Sequence, residues 1–162
     1  MQLLISDSNV LIDLIIVEQI ENMFKLPYSF AVPDILFHEE LKETHSDLLE
    51  LGLEIKELSS ETIIYSMKLM NKYRKPSRND LFALALAKQE SCPLLTGDND
   101  LRTAAESEAV ILCGTIWVMD NLIKNNLVTI EEARLLYQKM EDNKRRLPWA
   151  IAYAHLDEIE SN

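Results

Sequence analysis

The chain has 162 residues, 48% of them apolar, which is enough to build one hydrophobic core within a single domain. No apolar run approaches the roughly 18 residues that a membrane-spanning helix needs, so an integral membrane protein is excluded. The formal net charge of −11 argues against a protein that binds nucleic acid through its overall charge.

The first half of the chain predicts strands that alternate with helices. Short apolar runs predict buried strands at residues 2–6, 29–32 and 53–58. Apolar residues at helical spacing predict helices at residues 9–24, from Pro33 to about residue 41, and at 60–72 after a cap at Ser59.

The second half continues this alternation and then becomes helical. Pro76 interrupts the pattern, Ser77 can cap a helix over residues 81–89, and strands are predicted at 93–96 and 109–113 around a helix at 101–108. Three helical segments follow, at 116–124, at 129–140 with the capping box Thr129-x-x-Glu132, and after Pro148. We therefore predict a parallel α/β sheet covered on both faces, with a core at 1–115 and a helical extension at 116–162 packed on it.

The cysteines and the amino terminus favour a cytoplasmic location. Cys92 and Cys113 lie in apolar surroundings without a C-x-x-C spacing, which is typical of reduced core residues. The first residues lack the basic region of a secretory signal peptide. The three histidines are too scattered for a zinc site.

Basic residues are concentrated in two places despite the acidic composition. One cluster lies between Lys68 and Arg78, and the other comprises Lys144, Arg145 and Arg146. Either cluster is equally consistent with solvated helix ends and loops or with sites that bind phosphate groups.

Acidic residues follow the predicted strands. Asp7 comes after the first strand, Glu39 and Glu40 lie on the helix after the second, Asp80 lies in the first turn of the 81–89 helix, and Asp98 and Asp100 follow the fourth strand. Each alone could be a helix cap, but loops at the carboxyl ends of parallel strands converge. Clustered carboxylates repel one another unless a cation neutralises them, and oxygen ligands without His or Cys favour Mg²⁺ or Mn²⁺.

Four motifs, in this order, carry a resemblance to a known family: SDSNVLIDL, VPDILFHEEL, SRNDLFALALA and LLTGDNDLR. They resemble the four acidic motifs of PIN-domain nucleases over residues 4–112. The resemblance implies a Rossmann-like three-layer α/β/α fold with a short central parallel sheet. It also implies cleavage of RNA with Mg²⁺ or Mn²⁺, leaving a 5′-phosphate and a 3′-hydroxyl, and bacterial members are commonly VapC-like toxins of toxin–antitoxin pairs.

The resemblance assigns Asp7, Asp80, Asp98 and a Glu of the second motif as metal ligands. Glu39 fits by its distance from Pro33, whereas Glu40 fits by preceding Leu41, and we favour Glu39. The two side chains point about 100° apart on an α-helix, so only one of them is expected to bind a given ion. Further positions that resemble the family site are an auxiliary acid, Asp100, and three residues that could hydrogen-bond ligands or bound water: Asn9, Ser77 and Thr96.

The expected function is a metal-dependent ribonuclease of the cytoplasm, with RNA as substrate and with an antitoxin or a second copy of the chain as a partner. The cations expected to hold RNA phosphates are Arg74, Lys75, Arg78 and Arg102. The alternative is a non-catalytic PIN-like module that binds RNA or protein, and a metal-dependent phosphatase is the least favoured hypothesis. Asp13 and Asp34 are expected to be surface or capping residues, and His38 a surface residue.

Overall fold

The structure, a computed structural model, describes all 162 residues. Five parallel strands form one sheet in the order β3-β2-β1-β4-β5. Their bounds are β1 Gln2–Ser6, β2 Tyr28–Pro33, β3 Glu54–Lys56, β4 Leu94–Leu95 and β5 Leu112–Cys113. The chain builds outward from β1 to β3 and then crosses to the other side of β1, so the strand order reverses between β1 and β4. Ligands of open parallel sheets bind at such a reversal, beyond the carboxyl ends of the strands.

Helices cover both faces of this sheet, which confirms the predicted three-layer α/β/α architecture. The helices of the core are α1 Ser8–Ile16, α2 Ile20–Met23, α3 Asp34–Leu36, α4 Lys42–His45, α5 Leu48–Leu51, α6 Ser60–Lys72, α7 Arg78–Glu90 and α8 Asn99–Ser107. A π-helical turn, Phe37–Leu41, lies between α3 and α4. The remaining helices are α9 Thr115–Lys124, α10 Ile130–Asp142 and α11 Trp149–Ser161. None of these helices has the length and apolar character that a membrane crossing requires.

Helix α7 is the central helix of the fold. Every residue from Leu81 to Ala87 is buried, because this helix contacts β1, β2 and β4 as well as α6 and α8. Alternating Leu and Ala provide a good helix former at each position and let neighbouring elements approach closely. Asp80 lies immediately before this buried stretch, so packing of α7 determines where its carboxylate stands.

The three last helices share the hydrophobic core of the sheet. Val118, Leu122, Tyr137 and Leu156 are all fully buried in the same cluster as the strand residues. The ring of Tyr137 also packs edge-on against neighbouring aromatic rings of α11. Helix α9 contacts α1 directly, and the segment after α10 reaches α1 through the ion pair between Arg145 and Asp13.

Three local predictions differ from the structure. The helix predicted over 9–24 is divided into α1 and α2, because Glu18 has a left-handed backbone with φ 58°. Pro33 ends β2 instead of starting a helix, and only α3 begins after it. Strands β4 and β5 have two paired residues each and are shorter than the predicted 93–96 and 109–113, although their positions are as predicted.

Candidate functional site

Asp7 is the most deeply buried acid of the strand-end loops. It is 1% exposed and caps α1, its Oδ1 accepting a hydrogen bond of 3.0 Å from the amide of Val10. Its Oδ2 accepts a hydrogen bond of 2.6 Å from the hydroxyl of Thr96. The parallel register pairs Ser6 with Leu95, which places the residues that follow β1 and β4 side by side.

Burial dominates the electrostatics of Asp7. Removal from water raises the pKa of this carboxyl to about 7, against the lowering effect of the hydrogen bonds from Thr96 and Val10. The negative charges of Asp80 and Asp13 raise the pKa further. No Lys or Arg side chain forms an ion pair with Asp7, so its charge is not compensated within the protein.

Asp80 is placed by a capping box at the start of α7. The hydroxyl of Ser77 accepts a 3.1 Å hydrogen bond from the amide of Asp80, and the amide of Ser77 donates to Asp80 Oδ2 at 3.3 Å. Burial raises the pKa of the Asp80 carboxyl, the hydrogen bonds from Ser77 lower it, and the charges of Asp98 and Glu40 raise it. Asp80 therefore interacts electrostatically with the acids of three other motifs.

Asp98 caps α8, and Thr96 connects it to Asp7. Asp98 Oδ1 accepts from the amide of Asp100 at 2.9 Å. The Thr96 hydroxyl, which donates to Asp7, accepts a 3.1 Å hydrogen bond from the amide of Asp98. The Thr96 hydroxyl thus connects the side chain of Asp7 to the backbone of Asp98 and restricts their relative positions. The strand-end motif LLTGDND therefore contributes both a helix cap and an acid facing the same edge of the sheet.

The structure separates the two glutamates of the second motif. Glu40 Oε1 accepts a 2.9 Å hydrogen bond from the hydroxyl of Ser8, next to Asp7, and Glu40 Oε2 accepts a 2.9 Å hydrogen bond from the side-chain amide of Asn79, next to Asp80. Glu39 instead forms an ion pair with Arg78. Glu40, not the favoured Glu39, lies among the other acids.

The π-helical turn accounts for this difference. Within Phe37–Leu41 the hydrogen bond spans five residues, as from the amide of Lys42 to the carbonyl of Phe37, instead of four. The extra residue in the turn changes which side chain faces the other acids, whereas counting at α-helical spacing from Pro33 favoured Glu39. Single π-helical turns are frequent at functional sites.

The chemical type of the available donor atoms fits a hard divalent cation. Asp7, Asp80, Asp98 and Glu40 offer only carboxylate oxygens, and their mutual repulsion is not relieved by a Lys or Arg. A further oxygen, Asn79 Oδ1, is buried beside Glu40 without a hydrogen-bond partner. No three His, Cys, Asp or Glu side chains are gathered closely enough in this structure to ligate one ion together. Oxygen donors and uncompensated charge are the chemistry that a hard divalent cation such as Mg²⁺ or Mn²⁺ prefers.

Asp13 is buried, which contradicts its predicted position at the surface. It is 6% exposed instead of lying on the surface, and its Oδ1 forms a 2.6 Å ion pair with Arg145 Nε. Its Oδ2 accepts a 2.7 Å hydrogen bond from the hydroxyl of Thr115. The signal was present in the spacing, because Asp13 lies three residues after Val10, on the apolar stripe of α1.

A cleft of about 670 Å³ is lined by three acids, Asp13, Asp98 and Asp100. Asp98, Asp100 and Asn9 line it from the core, and the basic loop Lys144–Arg146 lines it from the segment between α10 and α11. Asp100 is exposed, and Arg145 Nη2 donates to Asn9 Oδ1 at 3.4 Å. Residues from both ends of the chain therefore form one depression at the edge of the sheet.

The cations predicted to hold RNA are distributed unevenly. Arg78 is paired with Glu39 and stacks over the ring of Phe82 at 5.8 Å. Arg74 and Lys75 are exposed between α6 and α7. Arg102 is exposed and lines a second cleft, of about 490 Å³, that it shares with Arg146.

Comparison with known proteins agrees with this fold. The sequence model of a family described as a PIN domain matches residues 3–161. No curated protein sequence matches the chain.

Two solved structures are similar in fold. A PilT N-terminus domain protein from the hyperthermophilic archaeon Sulfolobus solfataricus superposes with a TM-score of 0.50 at 15% identity, covering 76% of this chain and 92% of the other. A chain of the VapBC2 complex of Rickettsia felis, solved bound to a DNA fragment from its promoter, superposes with a TM-score of 0.51 at 18% identity, covering 70% of this chain and 98% of the other. The family match extends over nearly the whole chain, including the helices after residue 115. The chain belongs to the PIN-domain family.

Proposed function

We propose that this PIN domain is a metal-dependent ribonuclease that hydrolyses RNA phosphodiester bonds. The observation that carries the proposal is the buried Asp7 carboxylate, which lies where the strand order reverses and interacts electrostatically with Asp80 but contacts no cation of the protein. Burial of an uncompensated charge destabilises the fold, and such an arrangement is typical of a site that binds a cation. Membership of the PIN-domain family supports nuclease chemistry.

The proposed ligands are Asp7, Glu40, Asp80 and Asp98, with Mg²⁺ or Mn²⁺ as the ion. Glu40 replaces Glu39 in this set because Glu40 is hydrogen-bonded to Ser8, whereas Glu39 is engaged by Arg78. When bound, a divalent ion supplies Lewis-acid activation of a water molecule and neutralises charge on the scissile phosphate. Thr96 and Ser77 restrict the orientation of Asp7 and Asp80 through their hydrogen bonds.

Asp100 is the proposed proton acceptor. It is exposed in the cleft, its backbone amide is already bound by Asp98, and its carboxylate makes no hydrogen bond or ion pair within the protein. A carboxylate at this position can take a proton from the attacking water as the water approaches phosphorus. Arg74, Lys75 and Arg102 are exposed and free of ion pairs, so they can contact the flanking phosphates.

We further propose that an antitoxin protein controls this activity in a VapBC-like pair, in the cytoplasm. The support is the similarity in fold to a chain of the VapBC2 complex. A second copy of the chain is the other proposed partner. Co-expression with the product of a small adjacent gene, followed by co-purification and an RNA-cleavage assay, tests the antitoxin partner.

A second candidate function is that of a PIN-like module that binds RNA or protein without cutting it. The observation that favours it is that no three acids are gathered to ligate one ion. A cleavage assay distinguishes the two candidates, because only the nuclease would cut RNA when a divalent ion is added.

The test is cleavage of a panel of labelled RNAs with Mn²⁺ or Mg²⁺ by the native protein and three variants. We expect Asp98→Asn to abolish cleavage, Glu40→Gln to reduce it at least about tenfold, and the matched control Glu39→Gln to leave it nearly unchanged. Isothermal titration with Mn²⁺ provides a readout that does not depend on turnover, and Asp98→Asn should weaken binding of the ion. Cleavage that persists in EDTA and in Asp98→Asn would refute the mechanism, and an inactive native protein that still binds RNA would favour the second candidate.

A further inference from the structure

We propose that the basic loop Lys144–Arg146 is an RNA clamp, in which Lys144 and Arg146 bind backbone phosphates of the strand that enters the acidic cleft and Arg145 positions them. This inference rests on the proposed ribonuclease function and adds a substrate-binding surface to it. The loop lies outside the four acidic motifs and joins α10 to α11.

The backbone of the loop is held by the end of α10. The amide of Lys144 donates to the carbonyl of Glu141 at 3.0 Å, and the amide of Arg145 donates to the carbonyl of Met140 at 3.0 Å. This pair of hydrogen bonds is a Schellman motif, and Lys144 takes the left-handed position in it with φ 63°. These hydrogen bonds therefore define the direction in which the chain leaves α10 and fix the backbone at the start of the loop.

Arg145 fixes the loop to the core by its side chain. Its Nε donates to the buried carboxylate of Asp13 at 2.6 Å, and its Nη2 donates to the backbone carbonyl of Asn9 at 3.3 Å. Asp13 and Asn9 both belong to α1, the helix that Asp7 caps. The guanidinium thus connects the loop to the helix whose amino terminus lies at the candidate metal site.

Lys144 and Arg146 remain available for a ligand. Both side chains are exposed, and neither forms an ion pair, although both line the same cleft as Asp98 and Asp100. Arg146 also lines the second cleft, where Arg102 lies, so basic residues continue from one cleft into the next. One side of the cleft is acidic, with Asp98 and Asp100, and the other side carries the unpaired cations Lys144 and Arg146. A ligand with repeated negative charges suits this arrangement, because divalent cations bound to the acids can neutralise the charge at the site of cleavage while the basic residues hold the rest.

A single-stranded RNA has that chemistry. Its phosphates repeat along the strand, so one phosphate can face the acids with their divalent ion while its neighbours contact Lys144, Arg146 and Arg102. In the other basic cluster, Arg78 is already paired with Glu39, and Arg74 and Lys75 do not line this cleft. An acidic protein partner is the competing occupant of the loop, and the experiment below separates the two.

The test measures binding of a fluorescent single-stranded RNA by anisotropy at several salt concentrations, with Ca²⁺ in place of Mn²⁺ and with gel analysis to verify that the RNA is intact. Each phosphate contact with a single strand contributes about 0.7 to the slope of log K against log salt concentration. The double variant Lys144→Gln/Arg146→Gln is therefore expected to reduce this slope by about 1.4. The matched control, Lys25→Gln/Lys124→Gln, removes two exposed lysines that line neither cleft and should leave the slope unchanged.

Arg145→Gln tests the positioning role. We expect it to weaken RNA binding although Lys144 and Arg146 remain, and Arg145→Lys should restore binding in part because it keeps a cation next to Asp13. Circular dichroism and thermal unfolding verify that each variant is folded. In a cleavage assay, the double variant should raise KM about tenfold with kcat nearly unchanged, since its effect is on phosphate contacts distant from the reacting bond.

The outcomes separate the clamp from the nuclease. If the native protein cleaves RNA but the double variant and the lysine control have equal salt slopes, the clamp is refuted and the ribonuclease stands. If the native protein binds RNA through these residues but never cleaves it, the ribonuclease is refuted and the binding surface stands. If the native protein does not bind RNA even at low salt, the clamp is wrong.

Discussion

Replacing Asp7 by Asn should stabilise the metal-free protein and abolish its activity. Asn is as good a helix cap as Asp, so the hydrogen bond from the amide of Val10 can be kept. The hydroxyl of Thr96, which donates to Asp7 Oδ2, can rotate and accept from the new amide group. The change therefore removes a buried negative charge while keeping shape and hydrogen bonding.

The magnitude follows from the pKa of Asp7. The ordinary value is 3.8 and the folded value is about 7, and this difference corresponds to about 4 kcal/mol. Because the folded pKa is raised, the folded state binds the proton more tightly than the unfolded state, and stability falls as the pH rises between about 4 and about 7. Below pH 4 Asp7 is neutral in both states, and the native protein and Asp7→Asn should be equally stable.

The assay is urea unfolding in EDTA, at several pH values from 4 to 8, of the native protein, Asp7→Asn and the exposed control Glu50→Gln. Asp7→Asn should gain stability progressively with pH, reaching about 4 kcal/mol above pH 7, whereas Glu50→Gln should follow the native curve. Added Mn²⁺ should stabilise the native protein more than Asp7→Asn. Equal stability at all pH values, or a loss of stability in Asp7→Asn at pH 8, would refute the account of Asp7 as an uncompensated buried charge.

Three further predictions concern stability. Tyr137→Phe should raise the free energy of unfolding by about 1 kcal/mol in urea unfolding, because the Tyr137 hydroxyl is buried without a hydrogen-bond partner; a loss of stability would mean that the hydroxyl is satisfied. Arg145→Gln should lower the free energy of unfolding by about 2–4 kcal/mol at pH 7, because it leaves Asp13 buried and unpaired. The loss should be smaller at acidic pH, because protonation of Asp13, whose pKa is raised by burial, removes the charge. The control Arg134→Gln, whose ion pairs are exposed, should cost less than about 1 kcal/mol, and an equal effect of the two changes would contradict burial as the cause. Ser77→Ala should cost about 1 kcal/mol in thermal unfolding through loss of the α7 cap and should also lower the rate of RNA cleavage, because Ser77 orients Asp80; a change in stability alone would limit Ser77 to the cap.

Local patterns in the sequence were sufficient to predict the architecture. Short apolar runs predicted all five strands, and apolar residues at helical spacing predicted the long helices. Each element must bury one face in the core, and this requirement gives its sequence the corresponding periodicity. The caps Ser59 and Ser77 were also predictable, since a helix amino terminus needs a local acceptor for its free amides. The position of Asp7, Asp80 and Asp98 at strand and helix ends followed from the same short-range rules.

Tertiary structure decided which of these acids are buried, paired or exposed. Whether Glu39 or Glu40 lies near the other acids depends on the π-helical turn and on contacts with Ser8 and Arg78, which lie more than 30 residues away in the sequence. Burial of Asp13 by Arg145 joins residues separated by 132 positions, and no local pattern contains that pairing. Periodicity is a property of neighbouring residues, whereas burial and charge compensation depend on which distant segments meet. The sequence alone therefore determined the elements and their acids, and only the folded chain determined which charges remain uncompensated at the edge of the sheet.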